Sequence, residues 1–256
     1  MKKLLFSSIF CLLMSTQAYG QFTTNGSNNF TSLEAAAAVV MDGGTITMTS
    51  NVDMGLSVAE LNVSKTYTID LGGKTLLNTN YSTLEIQAGT VTIKNGSITN
   101  TSTEGDGIRI YSISVLDGLT VSAETLAVAN YGTVFILSGT YIGGEDALYC
   151  DLSTATITSG HFLCTNDSGN GCLVEYDSNA QIFLAEGSTP NVVPWKNDAS
   201  AIDVIITTAS SVEETLHDTV LPKGYYSILG IKLPQEPESG IYIILYDNGK
   251  AKKVIK

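Results

Sequence analysis

From residue 68 to residue 162 the chain repeats one pattern: a short run in which apolar and polar side chains alternate, then a turn at glycine. The clearest runs are Val91-Thr92-Ile93-Lys94-Asn95-Gly96, Ile113-Ser114-Val115-Leu116-Asp117-Gly118, Val134-Phe135-Ile136-Leu137-Ser138-Gly139 and Ala155-Thr156-Ile157-Thr158-Ser159-Gly160. Gly73, Gly96, Gly118, Gly139 and Gly160 follow one another at steps of 23, 22, 21 and 21 residues. A period of this length predicts a stacked solenoid, in which each repeat buries its apolar face only against its neighbours. Period-two spacing sets Val91/Ile93, Ile113/Val115, Val134/Ile136 and Ala155/Ile157 on one inward face. A large residue returns after the glycine at Ile98, Tyr141 and Phe162, with Thr120 in its place in one repeat. Further strands are predicted at 84–86, 108–110, 126–128, 148–150 and 173–174. Asn95, Asp117, Ser138 and Ser159 precede their glycines, small polar side chains that bond local backbone where glycine supplies positive φ.

Coils of two or three short strands with small-polar-Gly turns predict a parallel β-helix of about seven rungs, roughly 35 Å long at the spacing of paired strands. Residues 68–76 and 89–98 carry a closer likeness: they resemble the right-handed β-helix proteins of the pectate-lyase-like superfold. The resemblance spans residues 34–190 and implies an all-β, right-handed parallel β-helix, without implying an activity. Thr31-Ser32-Leu33-Glu34 has capping-box spacing before the helix formers at 35–40, so a short helix is expected to cap the first rung, where strand edges would otherwise stand open. The remaining boundaries follow: 1–20 a leader, 21–195 the β-helix with its cap, 196–223 the strand-like end of the solenoid and a linker, and 224–256 a small β-sandwich-like tail.

Both ends of the chain speak of export. Met1-Lys2-Lys3, an apolar run at 4–14, and Ala18-Tyr19-Gly20 before Gln21 have the layout of a secretory signal peptide, too short to span a bilayer. Cys11 follows Phe10, where a lipid-anchoring motif needs a small residue. The tail carries Tyr225-Tyr226-Ser227-Ile228-Leu229-Gly230-Ile231-Lys232-Leu233, then Gly240-Ile241-Tyr242-Ile243-Ile244, a hairpin turn at Asp247-Asn248-Gly249-Lys250, and a basic last strand ending at Lys256. It resembles the C-terminal sorting domain of proteins exported by the type IX route of Bacteroidota. That likeness implies display at the outer-membrane surface or release, with the type IX machinery as a partner.

Composition narrows the partners. The formal net charge is −12, from 25 acidic and 13 basic residues. Removing Lys2 and Lys3 with the leader leaves 11 bases against the same 25 acids, or −14. Such a surface repels nucleic acid, anionic lipid and acidic polysaccharide. Cys150, Cys164 and Cys172 remain beyond the leader, permitting at most one internal bridge. Cys150 with Cys172, one repeat apart, and Cys164 with Cys172, flanking a loop, are the candidate pairs, and three buried free thiols are the alternative. His161 and His217 are the only histidines, too few for zinc-ligand spacing.

The candidate chemistry is a column of oxygen ligands. Asp106, Glu124, Asp146 and Asn170 each precede the second strand of a repeat, with Glu104, Glu145 and Asp167 close by. Stacked one rung apart they would suit Ca²⁺ or a sugar, and a carboxylate pair could serve a glycosidase. Solvation of exposed turns is the plainer reading of the same residues. A uronate lyase needs more cations than the lone Arg109 and Lys94. Tyr111, Tyr131 and Tyr149 would meet sugars if they face outward, whereas Tyr141 and Phe162 suit the core. The expected function is a non-catalytic, exported surface protein for adhesion or glycan and matrix binding. Its rivals are a small carbohydrate-active enzyme of the same superfold and a structural surface-layer protein.

Overall fold

A computed structural model describes residues 20–24, 28–166, 170–208, 222–227, 232–238, 241–246 and 251–255. Residues 1–19 of the leader, Asp167, His217 and the 247–250 turn lie outside these described residues. The chain divides into two compact units, Met1–Ala209 and Ser210–Lys256.

The first unit is a parallel β-solenoid of about six turns. Its longest column links Thr45, Thr68, Thr92, Val115, Phe135, Thr156 and Phe183 in parallel register, one residue from each of seven strands. Position differences along it give coils of 23, 24, 23, 20, 21 and 27 residues. Beside it, pointing inward, run Ile46, Ile69, Ile93, Leu116, Ile136, Ile157 and Leu184. The first six of these are buried and share one core. A second flank aligns Ala59, Leu84, Ile108, Val128, Leu148 and Leu173, all buried. A third aligns Leu76, Ile98, Val121, Tyr141 and Phe162. Tyr141 and Phe162 stack at 5.2 Å between centroids and fill the interior as expected.

Three local expectations change. Ile113 and Val115 point outward, Ile113 being 44% exposed, because Ser114 and Leu116 hold the inward register with Val91 and Ile93. Ser114 is buried and its hydroxyl has no hydrogen-bond partner, so the serine interrupts the apolar column rather than serving it. At the turn of residues 95–96 the left-handed residue is Asn95 (φ 59°), in register with Gly118 (φ 62°) one coil on. Gly96 is needed for another reason: a Cβ there would stand 2.4 Å from Leu71 Cβ and 2.6 Å from Lys74 O. The capping residue is Ser32, whose hydroxyl accepts from Ala35 N at 3.2 Å, so Thr31 does not start the capping box.

The helix Leu33–Val39 buries Leu33, Ala36 and Ala37 against the first coils. Lys65 Nζ donates to Ala38 O and Val40 O at 3.1 and 2.8 Å, placing a cation at the helix's negative end. Phe22–Thr24 pairs antiparallel with both Asn28–Phe30 and Thr45–Met48. At the far end Asp203–Thr208 pairs antiparallel with Gly160–Cys164 and with Ser188–Pro190. The solenoid sheet therefore runs past residue 195. An antiparallel strand at each end thus covers the open edge of one flank, an edge that would otherwise invite another chain.

The second unit contains a four-stranded antiparallel sheet in the order Lys232–Leu233, Pro222–Ser227, Ile241–Tyr246, Ala251–Ile255. Leu245 pairs with Ala251, so the strands flanking residues 247–250 meet as a hairpin. Tyr242 is buried there and its hydroxyl donates to Glu236 at 2.5 Å.

The inward register can be tested by urea unfolding. Leu116→Ala is expected to cost about 3 kcal/mol by emptying a core site, while Ile113→Ala stays within about 0.5 kcal/mol. The opposite order would mean the phase is shifted by one residue.

Candidate functional site

The four acidic or amide candidates do not form a column. Ser82 pairs with Asp106, and Val128 pairs with Ile108, which brings Leu126 rather than Glu124 over Asp106. Leu126 in turn pairs with Asp146. Asp106 and Asp146 thus share a register two coils apart with a leucine between them. Both are buried, whereas Glu124 and Asn170 are exposed and out of line with them. The cause is coil length: residues 108–123 are offset from the next coil by a constant 20 residues, and Glu124, 18 residues after Asp106, falls two short of the register position. Asp106 serves structure: its carboxylate accepts from Arg109 Nε at 2.7 Å, Thr125 Oγ1 at 2.5 Å and Leu126 N at 3.2 Å. Among the described residues no three His, Cys, Asp or Glu side chains gather as metal ligands. His161 bonds Asp203 on the closing strand at 2.8 Å.

The same register builds a different site on the outer face of the second flank. Outward positions there align Glu60, Glu85, Arg109, Ala129 and Tyr149 in one file. Two residues along, Ile110 pairs with Asn130 and Cys150 with Glu175, so Tyr111 and Tyr131 fall in one adjoining file, and Asp151 and Tyr176 continue it. The rings of Tyr111 and Tyr131 stack at 5.1 Å between centroids and 12° between planes. Tyr131 meets Tyr149 at 6.4 Å edge-on, and Tyr149 meets Tyr176 at 5.3 Å. Four tyrosines therefore form one continuous outward ladder. Tyr111 is 42% exposed and Tyr176 68%. Sequence reasoning found Tyr111, Tyr131 and Tyr149 but missed Tyr176, whose recurrence one coil beyond Asp151 was the available signal.

Ring geometry decides what the ladder offers. Rings that face each other along the solenoid axis hide those faces and present edges and phenolic hydroxyls to solvent. Tyr176, at the end, keeps the most open ring. Each aromatic contact adds about 0.5–1.5 kcal/mol beyond its buried area, so the rings are held in place before any ligand arrives.

An ionic cluster anchors the other end. Arg109 reaches Asp106 at 2.7 Å and Glu85 at 3.7 Å, and its guanidinium lies 4.9 Å from the Tyr81 ring centroid. Gln87 Nε2 donates to Glu85 Oε2 at 2.8 Å. Burial pushes the Glu85 carboxyl above the usual carboxylate range, against the opposing pull of Arg109. Burial likewise raises the Tyr131 and Tyr149 hydroxyls. At the ladder's far end Asp151 is raised by loss of solvent and by its contact with Asp177, whose own carboxylate accepts from Asn179 N and Ala180 N at 2.7 Å each.

No family model, curated protein or solved structure matches the chain. Among the described residues no helix is long and apolar enough to cross a membrane.

Glu85 makes a pH prediction. Its folded form keeps the proton to higher pH than its unfolded form, so between the two values the native state binds more protons. This group's contribution to stability therefore falls as pH rises through that window. Denaturant unfolding of wild type and Glu85→Gln from about pH 4 to pH 7 is expected to give a flatter curve for the variant. Parallel curves would show that Glu85 ionises alike in both states.

Proposed function

We propose that the protein is an exported, surface-displayed β-helix that binds glycans non-catalytically along its tyrosine ladder. The observation that carries this reading is the outward ladder Tyr111–Tyr131–Tyr149–Tyr176, polar-tipped aromatics from two adjoining files on a rigid sheet. A glycan lying along the axis would meet phenolic groups at about each rung, donors and acceptors matched to sugar hydroxyls. Pre-stacked rings lose little freedom on binding, which favours affinity. The charges beside them select the ligand: Arg109 is already engaged by Asp106 and Glu85, leaving Glu60, Asp151 and Asp177 on an acidic flank. Neutral or N-acetylated chains fit this face better than uronates or sulfated chains.

Export rests on the leader-like start and the sorting-like tail, with the type IX machinery as the proposed partner of the tail. A hydrolytic reading has one observation in its favour: Glu85 is held protonated to higher pH, next to Asp106 through a shared Arg109.

A panel of neutral, N-acetylated and uronic oligosaccharides, titrated with and without calcium, tests these readings. The expected result is calcium-independent binding of a neutral or N-acetylated chain, weakened about tenfold by Tyr131→Ala or Tyr176→Ala. No shorter products should appear. Products that vanish in Glu85→Gln would establish the enzyme instead. Binding that needs calcium and survives both tyrosine substitutions would move the site off the ladder.

A further inference from the structure

Cys150, Cys164 and Cys172 are all buried thiols, and none is bridged. Their surroundings differ. Register places Cys172 beside Ala147, whose N–H donates to Cys172 O at 3.0 Å, while Cys150 pairs with Glu175. Cys150 therefore stands three residues along its strand from the Cys172 level, about 10 Å, beyond the reach of a disulfide. Its sulfur instead accepts from Asn130 Nδ2 at 3.6 Å. Cys164 and Cys172 meet at one place. Cys172 Sγ lies 3.3 Å from Phe162 O, two residues before Cys164 on its strand. Both lean on the segment that leads into the closing strand: Cys172 Sγ donates to Ala201 O at 2.9 Å, and Cys164 Sγ to Ile202 O at 3.8 Å. Cys164 N and Cys172 N also donate to Ile202 O and Ala201 O, each at 3.0 Å.

We propose that Cys164 and Cys172 are a dithiol pair that oxidises to an intramolecular disulfide and so locks the far end of the solenoid. A low-molecular-weight disulfide such as oxidised glutathione is sufficient oxidant. One protein thiolate attacks it, forming a mixed disulfide and releasing one glutathione thiol. The second protein thiolate then attacks the protein sulfur of that bond and releases the other. The protein loses two protons and two electrons, and the glutathione disulfide gains both. Cys164, 5% exposed against none for Cys172, is the sulfur reached first. Burial pushes the Cys172 thiol up to about 12, so the second step is slow at neutral pH and quickens in base. The product ties the end of Gly160–Cys164 to the entry of Leu173–Glu175, at the place where both bond the Ala201–Ile202 segment that leads into the closing strand.

The test uses the reduced full chain, incubated with oxidised glutathione at mildly alkaline pH, alkylated, and digested at acidic residues. Cleavage at Asp151 and Asp167 puts the three cysteines on separate peptides. The expected result is a Cys164–Cys172 linked peptide, with Cys150 recovered alkylated. Tm should rise by about 5 °C on oxidation and fall back with dithiothreitol. Cys164→Ala should lose that rise, and Cys150→Ala should keep it. Recovery of Cys164 and Cys172 only as alkylated or glutathionylated residues, or of Cys172 linked to Cys150, overturns the proposal. Peptide mapping on wild type decides the matter even if a variant fails to fold.

Discussion

Everything in the first unit depends on parallel hydrogen bonding that keeps successive coils in register. Each coil contributes too little apolar surface to stand alone, and only stacking turns isolated pairs such as Ile69 and Leu71 into a continuous core. Register also makes the surface, because residues about twenty apart in sequence become vertical neighbours. The column from Ile46 to Leu184 and the ladder from Tyr111 to Tyr176 are the inner and outer products of one constraint. A slip of one residue would exchange the two faces of a coil.

The repeat, the capping helix, the tail strands and the core placement of Tyr141 and Phe162 were legible in the sequence. They rest on signals that local chemistry carries: glycine turns, an alanine-rich run behind a serine, and alternation of apolar residues. Phase was less legible. Ile113-Ser114-Val115-Leu116 contains two apolar alternations, and only the neighbouring coils select the one that buries Ser114. Asp106 and Glu124 each stand two residues before an apolar strand residue, and that local likeness drew Glu124 into a column it does not join, because the true offset between these coils is 20 residues and not 18. Gly96 shows a subtler miss: the glycine is kept for closeness to Leu71 and Lys74, while Asn95 takes the left-handed conformation.

The site shows how little of the outer face is free to act. Arg109, the residue a search for chemistry would pick first, is committed to Asp106 and Glu85 and lies against Tyr81. Asp106 is committed in turn to Thr125 and the backbone of Leu126, binding one coil to the next. What faces solvent beside them is the edge of the tyrosine ladder, with Tyr111 and Tyr176 exposed. Such a surface offers hydroxyls and ring edges to a long, uncharged, hydroxyl-rich chain, and on this asymmetry binding is proposed ahead of catalysis.

Register itself is open to direct measurement by pulsed electron paramagnetic resonance. One spin label would be held at Thr45 and a second moved from Phe135 to Thr156 to Phe183, each carried on a genetically encoded residue. An in-register coil requires the distance to grow by about 5 Å at each move, near 19, 24 and 29 Å. Distances that fail to increase in that order, or that jump by much more than one strand spacing, would contradict the stacked coil and every surface derived from it.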